Sequence, residues 1–182
     1  PKHGIAAPLD NLTTFRGQVF CFLPLPIYSE LPVHINGQFI LDASRRALWT
    51  STNPGQFDDS SRWNDMLFKS ISSSYFHFIS EVIKTYPIDC SSIKKFKSSI
   101  NNLYNLFPKW LEVPLALEGH WLQIAKDVYS NLAVHDASIL CRRCVRRPVQ
   151  AQWYPLTAIL RCEQAYFDIK NTPELNSILE NL

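Results

Sequence analysis

The chain has 182 residues with 18 Lys+Arg against 16 Asp+Glu, and its formal charge of +2 is too small to argue for nucleic acid or an anionic membrane as partner. A hydrophobic content of 46% with 19% charged residues fits a globular chain and excludes a disordered one. This length is that of one domain, able to bury roughly 70% of the surface its unfolded form exposes, and twelve prolines against five glycines imply stiff connections.

Val19-Phe20-Cys21-Phe22-Leu23 is a continuous apolar run, the pattern of a strand covered on both faces. Pro24 and Pro26 are expected to end it, since neither has the N–H that a central strand donates. Val33, Ile35, Gly37, Phe39 and Leu41 then alternate with His34, Asn36, Gln38 and Ile40. This period of two sends the first set inward and a mostly polar set outward. Gly37 inside the run marks a bulge or a close backbone approach. From Ser44 to Trp49 the pattern turns helical, with Ser44 placed as cap. The polar stretch from Thr50 to Ser61, containing Asn53-Pro54-Gly55, reads as a surface loop.

The clearest element follows. Trp63, Met66, Leu67, Ile71, Tyr75, Phe78, Ile79, Val82, Ile83 and Tyr86 recur at spacings of three and four, the stripe of an amphipathic helix that Pro87 stops. Burying each such side chain contributes roughly 1.5–3 kcal/mol before chain entropy is subtracted. A second helix has Ile93, Phe96, Ile100, Leu103 and Phe107 inward, with Lys94, Lys95 and Lys97 outward, and closes at Pro108. A third runs near His120 to Leu132 on Trp121, Ile124, Ala125, Val128 and Leu132. Ser138–Cys141 and Leu156–Leu160 are candidate short strands, and Thr172-Pro173-Glu174 starts a last helix. The expectation is an α/β (α+β) fold, a small sheet packed with several helices, in one domain over 1–182. Residues 1–60 are mainly strands and 61–182 mainly helices.

Gly17-Gln18-Val19-Phe20-Cys21-Phe22-Leu23-Pro24-Leu25-Pro26, then Leu31-Pro32-Val33-His34-Ile35-Asn36-Gly37, then Ser44-Arg45-Arg46-Ala47-Leu48-Trp49 and Trp63-Asn64, form a distinctive series. Over residues 4 to 86 the chain resembles the sacsin repeat family, in which an ATPase-like domain of the GHKL superfamily precedes a segment of this kind. The resemblance implies a fold like the middle segment of the GHKL heat-shock chaperones. It also implies a cytoplasmic, non-catalytic module of a large co-chaperone. Its partners would be other domains of the same protein, chaperones, client proteins and cytoskeletal filaments, with no nucleic acid, membrane insertion or cofactor. The alternative is one half of a split GHKL-type ATPase. A self-contained nucleotide site is not expected: no Glu has Asn four residues on, and the glycines are scattered singly.

In the GHKL chaperones an Arg just after a Ser at a helix start reaches the γ-phosphate bound in the preceding domain, and Ser44-Arg45 with Arg46 stands in a similar place. A guanidinium supplied this way stabilises charge on the transferred phosphoryl group. The plainer alternative is solvated arginines, or arginines paired with a carboxylate such as Asp42. Arg142, Arg143, Arg146 and Arg147 form one basic cluster, either a patch for phosphate, acidic peptide or RNA, or a solvated edge. Cys141-Arg142-Arg143-Cys144 has the gap of a zinc half-site, which Cys162 and His135 would have to complete. Reduced thiols are the simpler reading of five cysteines without a signal peptide, and no metal is expected. His34 is expected exposed and His77 at a boundary. Cys21 belongs to the core rather than to catalysis. The absence of an initiator Met implies a segment of a longer polypeptide, and the longest apolar run is far short of the ~20 residues a membrane helix needs.

Overall fold

Residues 2–8, 15–50, 58–108, 119–144 and 150–155 are described by the computed structural model. Their elements are β1 (His3–Ala6), β2 (Gln18–Cys21), β3 (Leu23–Tyr28), β4 (His34–Gly37), α1 (Asp59–Thr85), α2 (Ile93–Tyr104), α3 (Gly119–Val134), β5 (Leu140–Cys144) and β6 (Gln150–Tyr154). Four strands form a mixed sheet in the order β1-β4-β2-β3, and β5 and β6 form a separate antiparallel hairpin. The fold is α+β.

β2 is shorter than the apolar run that contains it. Val19 and Cys21 are buried while Gln18 and Phe20 are half-buried, so the strand is covered on one face and not on two. Phe22 adopts a left-handed φ of 61° and turns the chain, leaving its ring 78% exposed. The prolines do not end the strand region. β3 runs straight through Pro24 and Pro26 and pairs antiparallel with β2. Two circumstances permit this: β3 is the edge of the sheet, and its register with β2 is irregular between Gln18 and Phe20. Edges and bulges are where a missing N–H costs no ladder bond. The Gln18 side chain compensates locally, its Nε2 donating to the Leu25 carbonyl at 3.0 Å.

After β3 the chain returns past the start of β2 to enter β4, which lies parallel to β2 with Val19 opposite Ile35. The crossing point is Gly17. Its N–H donates to the Leu31 carbonyl and its own carbonyl accepts from the Ser29 N–H, both at 2.9 Å. A Cβ there would collide with the Val33 and Leu31 carbonyl oxygens and lie 2.7 Å from Ser29 Oγ. The alternation through β4 is as expected, with Val33, Ile35, Gly37 and Phe39 buried between Asn36 and Gln38, which are exposed. Gly37 is a close approach and not a bulge: a Cβ would meet Phe39 at 2.9 Å and Leu67 of α1 at 3.0 Å.

α1 begins at the Asp58 cap, whose carboxylate accepts from the Ser61 N–H at 2.7 Å, and ends where Tyr86 turns extended ahead of Pro87. Leu67, Ile71, Tyr75, Ile79, Val82 and Ile83 are buried as the stripe requires. Met66 is the exception at 58% exposed, and its place inside goes to Phe68. α3 lies against α1, contributing Ile124, Ala125, Val128, Tyr129 and Leu132 to the same core as the sheet. Tyr75 and Tyr129 reach through this core to donate to the Leu106 and Pro108 carbonyls at 2.7 and 2.9 Å. α2 is less covered than its periodicity implies. Leu103 is buried, but Ile93 is 64% exposed and the helix ends at Tyr104, short of Pro108.

The candidate strand Ser138–Cys141 is realised two residues later as β5, and β6 went unexpected in the sequence. Leu156–Leu160, the helix from Thr172, and the Asn53-Pro54-Gly55 turn lie outside the described residues. Among the described residues, no helix is long and apolar enough to cross a membrane.

Candidate functional site

The residues from Ile40 to Trp49 do not form the expected helix. They make a closed loop whose ends pair: Leu41 bridges Leu48, the Trp49 N–H donates to the Ile40 carbonyl at 2.9 Å, and the Asp42 N–H donates to the Ala47 carbonyl at 3.0 Å. Asp42, not Ser44, organises the interior. Its carboxylate accepts from Ser44 Oγ at 2.6 Å and from the Arg46 and Ala47 amides at 3.0 and 3.3 Å. Chiefly the Ser44 hydroxyl, then the loop amides, hold this carboxyl below the usual carboxylate range. A short polar side chain that gathers successive amides competes with helical hydrogen bonding, which is why the stretch closes as a turn. Arg45 sits at the apex with a left-handed φ of 57°.

The loop is tied to α1 from two directions. Asn64, buried at 2% exposure, accepts from the Ile40 N–H through Oδ1 at 2.9 Å. Its Nδ2 donates to the Ile40 and Trp49 carbonyls at 2.9 and 3.2 Å. Asp58, which caps α1, also accepts from Trp49 Nε1 at 2.9 Å. The Ser61 amide first, and the Trp49 indole after it, hold the Asp58 carboxyl below the usual range. The two side chains of Arg45 and Arg46 are exposed on this loop. Among the described residues neither guanidinium meets a carboxylate, because Asp42 is already occupied by amides and Ser44.

The other candidates do not gather round this loop. β5 holds Arg142 and Arg143 in its backbone, and Arg146 and Arg147 lie outside the described residues. Cys141 and Cys144 are three positions apart on an extended strand, so they face opposite sides and cannot close on one ion. His135 is exposed and stacks on Phe76 at 5.1 Å, and Cys162 lies outside the described residues. Among the described residues no three His, Cys, Asp or Glu side chains converge to hold a metal. His34 is half-buried instead of exposed: its Nδ1 accepts the Gln18 N–H at 3.1 Å, and Phe15 and Phe20 meet it edge-on. His77 is exposed beside Phe76. Cys21 is core, with its thiol donating to the Phe39 carbonyl at 3.5 Å.

Asp42 as organiser and Asn64 and Asp58 as anchors go beyond what the local pattern of the sequence led one to expect. Their signals were present: Asp42 two residues before Ser44, the Trp63-Asn64 pair, and an acidic residue just ahead of the long apolar stripe.

Human sacsin is 31% identical to this chain over 181 residues, a match that covers 92% of the chain. The chain is a sacsin-like segment. It spans 4% of the length of that relative. No family model matches the chain, and no solved structure matches it. The match takes in the Gly17 crossing, the Asp42 loop and the α1 anchors, all of which lie within the aligned share of the chain.

Proposed function

We propose that this sacsin-like segment is a non-catalytic module of a large cytoplasmic co-chaperone. It contributes scaffold and partner contacts in protein-folding quality control and in the organisation of cytoskeletal filaments, and its own partners are neighbouring domains, chaperones and client proteins. The observation that supports this most is how the interior polar groups are used. Ser29, Asn64 and Ser72 are the buried polar residues among those described. All three are spent within the fold: Ser29 on the Gly17 carbonyl, Asn64 on Ile40 and Trp49, and Ser72 on the Phe68 carbonyl and the Asp127 carboxylate. Catalytic groups are instead held in clefts with bonding capacity left for substrate.

A second reading has one specific observation in its favour. The Asp42 loop presents Arg45 in a left-handed conformation, fastened to α1 by Asn64, with no described carboxylate claiming the guanidinium. That is how a fixed arginine would be offered to a phosphate held by a preceding ATPase-like domain, in the manner of the GHKL chaperones' middle segment. The test is ATP turnover by a longer polypeptide that keeps the upstream domain. Under the first reading Arg45→Ala leaves turnover unchanged. A fall of ~10³-fold or more, the range of an arginine finger, establishes the second reading and overturns the first.

A further inference from the structure

An open cavity of about 540 Å³ separates the α1–α2 connection from the start of β6, with Ile88, Asp89, Cys90 and Ser91 on one side and Gln150 and Ala151 on the other. Sites of roughly 300–1,000 Å³ are those in which proteins bury a drug-sized ligand. The first wall is held in place. The Asp89 carboxylate accepts from the Ser91 N–H at 2.9 Å, and the Asp89 N–H donates to Ser99 Oγ of α2 at 3.2 Å. Ile88 packs on the core. Lys95 brings positive charge to this wall, its Nζ lying 3.3 Å from Asp89 Oδ2. Lys94 beside it is exposed, and no described carboxylate pairs with it. Across the cavity, Ala151 stands opposite Arg143 in the register of the hairpin, which places the two Cα atoms about 5 Å apart. Three basic residues thus stand at or beside the walls. Against them is one lining carboxylate, Asp89, which Lys95 already neutralises.

We propose that this wedge is a docking site for an acidic linear peptide segment of a partner protein. A small apolar side chain of the segment enters between Ile88 and Ala151, and the carboxylates that flank it meet Lys94 and Lys95. The lining favours a peptide over other anions. Ile88, Cys90 and Ala151 offer apolar contact, and the Ser91 and Gln150 side chains offer hydrogen bonds to a backbone. No lining residue is aromatic, so a nucleic-acid base has no ring to stack on. The attraction is between exposed charges, and salt screens it. This site deepens the reading of the segment as a module of partner contacts, on which it rests, by naming the chemistry of one partner.

The experiment is fluorescence anisotropy of a fluorescein-labelled peptide of alternating Glu and Val, titrated with the 182-residue chain, together with mapping of the amide shifts it causes. The expected result is saturable binding that weakens as salt is raised, with the shifts gathered at Asp89, Ser91, Gln150 and Ala151. Lys94→Glu, at an exposed position, keeps the fold by circular dichroism and weakens binding about fivefold or more. Ala151→Leu narrows the cavity and weakens binding without changing its salt dependence. The proposal is overturned if the peptide does not bind, if a Lys–Val peptide of the same length binds as well, or if the shifts gather elsewhere. It is also overturned if Lys94→Glu binds as the parent does, if an oligouridylate binds more tightly, or if inorganic phosphate alone displaces the peptide. Such a failure retires the wedge alone, because the module reading is tested separately by ATP turnover in the longer polypeptide.

Discussion

Asn64 is a single side chain that does the work of a strand. Its amide pairs with both the N–H and the carbonyl of Ile40, as a neighbouring β-residue would, and then adds the Trp49 carbonyl. Three backbone groups of the Asp42 loop thus depend on one buried residue of α1. Asn64→Ala leaves the Ile40 carbonyl with the Trp49 N–H but takes this partner from the Ile40 N–H and the Trp49 carbonyl, at about 1–3 kcal/mol for each group that finds no other. The expected outcome is a loss of about 2–4 kcal/mol in chemical denaturation, since some of the groups recover a water. The amide exchange of Ile40 should rise ahead of global unfolding. A position that reads in the sequence only as a polar residue on an apolar stripe is here the link between two elements.

The Asp42 loop and the β2–β3 hairpin are where local pattern misled, and for the same reason. Both are governed by who sits next to whom in three dimensions. Ser44-Arg45-Arg46-Ala47-Leu48-Trp49 has acceptable helix formers, but Asp42 captures the amides that a first helical turn would leave open, and the Leu41–Leu48 bridge closes the ends. Pro24 and Pro26 argue against a central strand, and β3 is not central. By contrast α1 and α3 were legible almost residue by residue, because a stripe at spacings of three and four already specifies which face meets the core. The loop also carries an acid lability. The Asp42 and Asp58 carboxyls both titrate below the ordinary aspartate value of 3.8 in the folded chain. A depressed folded pKa means that their contribution is fully present above that value and is lost as pH falls beneath it through the folded pKa. Acidification should therefore loosen the loop at its Asp42 and Asp58 ties. The amide resonances of Arg46 and Ala47 and the indole N–H of Trp49 should shift in that window, and Asp42→Asn should abolish the Arg46 and Ala47 part of the response.

For the molecule as a whole, the sequence made the α+β class and most of the core legible but not the topology. Nothing in the period of β2 or β4 says that the two lie side by side and parallel. That arrangement is imposed by the return crossing at Gly17, where the chain from Ser29 to Val33 passes so near that only a hydrogen fits at Cα. Gly17→Ala forces its methyl into two carbonyl oxygens. The expected cost is at least the 1–3 kcal/mol typical of overpacking, read as a lower urea midpoint with an unchanged slope. The candidate site was legible in part: Arg45 and Arg46 stand out by motif, whereas the Asp42 pivot and the Asn64 anchor needed the loop's closure to be seen.

The crossing also fixes an order of assembly. β2 and β3 are joined through a single residue and can pair as soon as both exist, but β1 has no neighbour in the sheet except β4, which is made last of the four. A chain emerging amino end first must hold β1 idle until β4 slides between it and β2. The sheet then completes in one closing step that bears the entropy of drawing distant segments together. Docking of β4 is thus the event on which the β1 edge of the sheet waits.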